Sequence, residues 1–439
     1  MRTLPWVFTI SVALLILTSH QATPDQRPSP ANGEIKRLVY HVQTGGAEEN
    51  LFFGLLHGVT TRSSDIYAQD GFKADAKRLA QGGEEPAWSP YGEKIAFLGF
   101  YRVWTEQHWE DKTFGGGSIA YRNLEGTSMI GRQIWIMNGD GSERKRITNV
   151  PNGVWDFAWS PIENKIAYCE LGTEDKTAIV VINADGAGRH EITKMGEIRC
   201  AVGVPILRRT LDRNKMMTSS RTEGGKVAIK LVGPKESTEA EENVTGELVG
   251  VPTVSWSPDG ERIAFTSVIN GKPVVGVVGR SGGNAKPVVN GYAAQWSPDG
   301  KQLLFRHDSE GTRVVTSIWT ANADGTQPRK VIDNEDAESG LRWFPDGRSI
   351  VFGSRRETKN QTEIFRVRTD GTGLEKIASQ VKASLSSLIV SPDGAKLIVD
   401  SAPSVWNRYD SSIEVVDLTS HRQETLCKGS HASVLWQKQ

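Results

Sequence analysis

One five-residue phrase constrains this chain more than anything else in it, because it returns again and again with a short apolar strand behind it. Trp-Ser-Pro-Asp-Gly stands unchanged at 256–260 and 296–300. Close relatives are Trp88-Ser89-Pro90-Tyr91-Gly92, Trp159-Ser160-Pro161, Trp343-Phe344-Pro345-Asp346-Gly347 and Val390-Ser391-Pro392-Asp393-Gly394. Nine residues after each first position, the anchor, comes a large or apolar residue: Phe97, Tyr168, Phe265, Phe305, Phe352 and Val399. A constant offset across a turn is what a hairpin of fixed register produces.

A second motif interleaves with the first. An apolar strand such as Ile134-Trp135-Ile136-Met137 runs into Asn138-Gly139-Asp140-Gly141, then into a polar stretch and an apolar pair. Further turns stand at Asp70-Gly71, Asp185-Gly186, Asp324-Gly325 and Asp370-Gly371, with worn copies near Ser281-Gly282 and Leu418-Thr419. Pro fixes φ near −65° and Asp-Gly accepts the positive φ of a tight turn, so both phrases read as hairpins. Two hairpins per repeat make four short strands in about 40–50 residues, the size of one propeller blade.

The expected fold is therefore all-β: one β-propeller of four-stranded antiparallel blades. Anchors at 88, 159, 208, 256, 296, 343, 390 and 436 give eight blades. The anchor at Arg208 is a worn copy, with Met217 at its ninth following position and Val227 to Val232 as the next strand. Seven blades is the alternative, should that copy be an insertion. The chain ends on Val434-Leu435-Trp436, a first strand with nothing after it, and its repeats begin on Arg37-Leu38-Val39-Tyr40, a second strand without a first. Pairing the two would close the ring and leave no open sheet edge.

Residues 1–22 read as a signal peptide: Arg2, then an apolar run from Trp6 to Leu17 too short to span a bilayer, then Ala22 as a cleavage point. Residues 23–34 form a leader and 35–439 the propeller, placing the protein in the periplasm or outside the cell, with no membrane span after cleavage. Lys plus Arg equals Asp plus Glu at 52 each, so no net field draws the chain to nucleic acid. Three scattered cysteines, Cys169, Cys200 and Cys427, make no disulfide framework, and Cys169 sits in an apolar strand as a buried thiol.

Trp-Ser-Pro-Asp-Gly with its apolar strand, followed by an aromatic strand and Asn-Ala-Asp-Gly, resembles the WD-like propeller repeat of TolB. The same repeat is found in tricorn protease and in prolyl oligopeptidase relatives. The resemblance covers residues 35 to 439. It implies the fold; only about a dozen residues separate the signal peptide from the first strand, too few for TolB's smaller N-terminal domain, and the peptidases' hydrolase domain has no counterpart.

Catalytic motifs are not found. Gly116-Gly117-Ser118-Ile119-Ala120 lacks the closing Gly of a nucleophile elbow. There is no phosphate loop or dinucleotide fingerprint, so no cofactor is expected. His41, His57, His108, His190, His307, His421 and His431 share no metal-ligand spacing. The recurrent Asp residues (Asp140, Asp185, Asp259, Asp299, Asp324, Asp346, Asp370, Asp393) read as caps of their own turns rather than calcium ligands. The anchor Trp residues read as inter-blade core rather than sugar platforms.

What breaks the pattern is a set of long connections. The insertion 100–132 carries Trp104 and Trp109, and the loop 43–64 carries Phe52 and Phe53. Arg355 and Arg356 follow Ser354, and Trp406, Arg408 and Tyr409 lie in a fourth link. In a four-stranded blade the hairpin turns share one side of the disc, and the links between hairpins and between blades share the other. Aromatics paired with Arg are the usual anchors of interfaces. The expectation is a monomeric, non-catalytic propeller binding an envelope or extracellular protein, or a glycan, through that link side. The alternative is a propeller enzyme, a polysaccharide lyase or hydrolase, with its site at the central channel.

Overall fold

A computed structural model describes residues 31–43, 64–71, 74–100, 109–114, 117–122, 132–150, 153–171, 177–195, 216–221, 227–232, 243–246, 253–269, 272–309, 316–333, 340–354, 362–381, 384–402 and 411–438. Seven four-stranded antiparallel sheets follow one another as blades. Blade 2 runs Gly83–Trp88, Lys94–Phe100, Arg132–Asn138, Lys145–Arg146. Blade 3 runs Val154–Trp159, Lys165–Leu171, Thr177–Asn183, His190–Met195. Blade 4 is Val254–Trp256, Arg262–Ile269, Lys272–Gly279, Lys286–Asn290, and blade 5 is Tyr292–Trp296, Gln302–Asp308, Thr316–Asn322, Arg329–Asp333. Blade 6 is Arg342–Trp343, Ser349–Ser354, Thr362–Arg368, Glu375–Val381, and blade 7 is Ser384–Val390, Lys396–Ala402, Ser412–Asp417, Gln423–Lys428. Blade 1 joins the last strand, Ser430–Lys438, to Ala31–Gln43, Ser64–Asp70 and Lys77–Gln81. In it Leu38 pairs with Val434 and Arg37 with Leu435.

The count of eight is corrected to seven. Met217 does lie in a strand, Met216–Arg221, which pairs with Val227–Val232, but only Asn243–Gly246 completes that sheet. Blade 3 packs directly on blade 4 without it: Ala167, Cys169 and Ile179 share one apolar cluster with Val254, Trp256, Ile263 and Phe265. The segment is an insertion between blades. Even spacing along the chain mimicked a repeat, but blades 3 and 4 already share the seam on either side of the segment. A second insertion, in blade 2, forms the hairpin Trp109–Phe114 with Gly117–Arg122.

Each of the seven seams holds its own apolar cluster. The ninth-position residues Phe97, Tyr168, Phe265, Phe305 and Phe352 are fully buried there. The anchors add a directional bond. Trp159 Nε1 donates to Ala87 O, Trp256 Nε1 to Ala158 O and Trp296 Nε1 to Ser255 O, each at 3.1 Å, and Trp343 Nε1 to Gln295 O at 3.4 Å. Each joins one blade's first strand to the residue just before the anchor in the preceding blade. First strands that reach one another in this way form the inner edge of the ring. The anchors are thus seam residues, as their periodic placement implied.

Turn chemistry sets one face of the disc. In blade 5, Ser297 N donates to Gln302 O and Gly300 N to Ser297 O, both at 2.9 Å, with Gly300 at φ 70°. Asp299 Oδ1 accepts from Ser297 Oγ at 2.6 Å and Lys301 N at 3.1 Å. Asp140, Asp185, Asp324 and Asp370 likewise each accept from the backbone amide two residues on. One oxygen of each carboxylate is engaged inside its own turn, the capping role that the sequence pattern implies.

Candidate functional site

On the opposite face, each innermost strand starts from a link, and several bulge three residues before the anchor. Glu85 has φ 51°, Ala293 φ 54° and His431 φ 51°, with Gly340 at φ 97° in the same place. In blade 1 the anchor position is filled by Val434, paired with Leu38 as Trp88 is with Ile95. Left-handed backbone is strained for residues other than Gly and persists only where neighbours fix it.

A side chain of the preceding blade does the fixing. Glu85 N donates to His41 Nδ1 at 3.2 Å, Ala293 N to Thr266 Oγ1 at 3.1 Å and His431 N to Asp400 Oδ2 at 2.5 Å. His41, Thr266 and Asp400 all directly follow the large ninth-position residue of the second strand, and all are buried. In blade 3 the acid stands at the bulge position itself: Asp156 Oδ2 accepts from Val254 N of blade 4 at 3.0 Å, and Oδ1 from Phe157 N at 2.9 Å.

These groups form a belt of contacts between neighbouring blades at several seams. With Nδ1 accepting an amide, His41 carries its proton on Nε2, which faces Ser430 Oγ at 2.9 Å. Its ring stacks on His431 at 4.9 Å and 16°. Glu85 pairs with Arg132 at 3.0 Å, and Arg132 donates to Trp155 O at 2.8 Å with its guanidinium 5.9 Å from the Trp155 ring. Burial pushes the Asp156 carboxyl up to about 7; the Val254 amide opposes this, Glu85 adds to it and Arg132 counters it. A carboxyl that exchanges its proton near neutrality can serve as acid or base. Among the described residues no group of three or more His, Cys, Asp or Glu is placed to hold a metal.

Of the side chains singled out from sequence, Phe52, Phe53, Trp104, Arg355, Arg356, Trp406, Arg408 and Tyr409 lie outside the described residues. Trp109 opens the strand Trp109–Phe114. The links that carry them connect second to third strands of blades 1, 2, 6 and 7. The belt itself was missed: its residues differ at every blade, so no motif announces them. The position three before each anchor was the available signal.

The sequence matches the TolB beta propeller domain over residues 112–317 and 245–434. No curated protein matches the chain. Among solved structures, an oligogalacturonate lyase in complex with manganese aligns at 13% identity and TM-score 0.49, covering 78% of this chain and 76% of that one. An oligogalacturonate lyase from Vibrio parahaemolyticus aligns at 13% identity and TM-score 0.47, covering 79% and 77%. TolB from Acinetobacter baumannii aligns at 16% identity and TM-score 0.35, covering 60% and 68%. At such values the likeness assigns none of those activities here. The two family matches together run over most of the sequence, from residue 112 to 434, and the chain belongs to the TolB β-propeller domain family.

Proposed function

We propose that this chain is a periplasmic or secreted binding propeller, exported by the segment 1–22, whose ring is held shut by the pairing of Ser430–Lys438 with Ala31–Gln43 and whose link face takes a protein or glycan partner. The observation that carries the reading is the difference between the two faces. On the turn face, short hairpins of similar length satisfy their own polar groups. The long connections, 44–63, 101–131 and 355–361 among them, leave from the other face, and they hold the aromatic and Arg residues suited to an interface. The belt residues supported by backbone amides of neighbouring blades give those links a rigid base.

One observation favours a second reading, a propeller enzyme acting at the channel. The Asp156 carboxyl, raised to about 7 beside Glu85 and Arg132, has the properties of a general acid or base. Capture from an envelope extract by the purified chain, with elemental analysis and polysaccharide turnover assays on the same sample, separates the two. Saturable capture without turnover supports the binding propeller. Turnover lost in Asp156→Asn would replace it with the enzyme.

A further inference from the structure

Second strands open on a cation in blades 2, 3, 4 and 7: Lys94, Lys165, Arg262 and Lys396. Blade 6 opens on Ser349, and Arg366 of its third strand donates to that hydroxyl at 3.2 Å. Blade 5 opens on Gln302, and Thr320 holds the place of Arg366. Here, where neither position carries a cation, a cavity of about 350 Å³ lies between blades 5 and 6 at their turn ends. Thr320, which is buried, and the half-buried Gln302 and Asn322 form its wall, with Arg329 and Thr369 beside them.

Blade 2 shows what this place holds when it is filled. Its Asn138 corresponds to Asn322, and is paired with Lys94 as Asn322 is with Gln302. Asn138 Nδ2 donates to Ser142 Oγ at 3.0 Å, and Asn322 Nδ2 to Thr326 Oγ1 at 2.8 Å. Each hydroxyl gives its own proton to the turn aspartate, Asp140 at 2.7 Å or Asp324 at 2.6 Å. The amide therefore presents its nitrogen to the turn and its oxygen the other way. In blade 2 that oxygen accepts from Lys94 Nζ at 3.1 Å. Arg329 is no bar to a further cation: it donates to Asp370 O at 2.9 Å, as Lys145 does to Asp185 O at 2.8 Å in the blade that also holds Lys94. What blade 5 lacks by comparison is the ammonium group.

We propose that the cavity takes a small molecule by its primary ammonium group, seated where Lys94 Nζ sits in blade 2. An ammonium has three donors, and the amide oxygens of Asn322 and Gln302 and the hydroxyl of Thr320 accept them. The site lies at the turn ends of the blades and rests neither on the link-face reading nor on Asp156.

Calorimetric titration of the full-length protein with n-butylamine and with glucosamine tests this, with n-butanol and glucose as uncharged counterparts. At least one amine should bind saturably while its counterpart does not, and the amine that binds names the source of the ammonium group. Gln302→Lys fills the place from within the chain, so it should weaken that binding about tenfold or more and melt at or above the parent. Gln302→Glu keeps the length of the side chain and sets a carboxylate against the ammonium, so it should tighten binding by about three- to tenfold. The proposal is overturned if neither amine binds, if Gln302→Lys binds as tightly as the parent, or if Gln302→Glu binds no tighter. A Gln302→Lys protein that melts well below the parent, or fails to fold, would overturn it too, by showing that the place does not accept an ammonium group.

Discussion

The indole Nε1 of Trp256 donates to the carbonyl oxygen of Ala158, 3.1 Å away in the preceding blade. The bond adds direction to a seam otherwise made of apolar contacts. Trp256→Phe keeps most of the buried ring and loses the donor, so it should cost about 1 kcal/mol in urea unfolding. Trp256→Ala also opens a cavity and should cost about 3–5 kcal/mol. No loss in Trp256→Phe would assign the whole effect to ring packing.

The first blade pairs Ser430–Lys438 with Ala31–Gln43, which gives the last residues a structural role. Leu38 and Val39 of the second strand are fully buried, and Leu38 pairs with Val434 and Val39 with Ser433. Deleting residues 431–439 should leave the first blade with an open edge, and the protein should unfold or aggregate on a sizing column. A truncated protein that melts like the parent would show that the ring does not need the last strand.

Asp156 predicts a pH dependence with a definite sign. Its folded value of about 7 lies above the ~3.9 of an Asp in an unfolded chain. The folded state therefore binds the proton more tightly, and this contribution to stability is full below about pH 4 and is lost as pH rises through about 7. Asp156→Asn keeps an acceptor for the Val254 amide and cannot ionise. Its stability relative to the parent should improve steadily between those limits, read from melting curves at several pH values. A constant difference across the range would place the proton elsewhere.

His41 offers Nδ1 to the Glu85 amide and Nε2 to Ser430 Oγ, so its neutral form is the one that fits. His41→Phe leaves a buried amide and hydroxyl without that partner and should cost about 1–3 kcal/mol. His41→Gln, which retains an acceptor, should recover part of the loss in the same urea titration. A His41→Phe variant as stable as the parent, with His41→Gln less stable, would point to ring stacking with His431 as the main contribution.

Much of the fold is legible in the sequence because its chemistry repeats. Ser297, Pro298, Asp299 and Gly300 each perform one task in one turn, and the same letters return wherever the task does. Blade number was not legible, since Met217 and Val227 to Val232 keep the spacing of a repeat while forming a three-stranded insertion. What separates blade from insertion is contact between Cys169 and the Trp256 side of the next seam, which no period along the chain records. The belt escaped for the opposite reason. Glu85, Asp156 and His431 occupy one structural position with three different side chains, so geometry repeats where the letters do not.

The central claim, recognition through the link face, is tested most directly by comparing two variants of the purified chain in capture from envelope extract and on a glycan array. One carries Trp104→Ala, Trp109→Ala and Trp406→Ala on the link face; the other carries Asp140→Ser and Asp324→Ser on the turn face. The account predicts that the link-face variant loses the captured partner while its melting temperature stays near that of the parent, and that the turn-face variant keeps it. Capture retained by the link-face variant and lost from the turn-face variant would contradict the account.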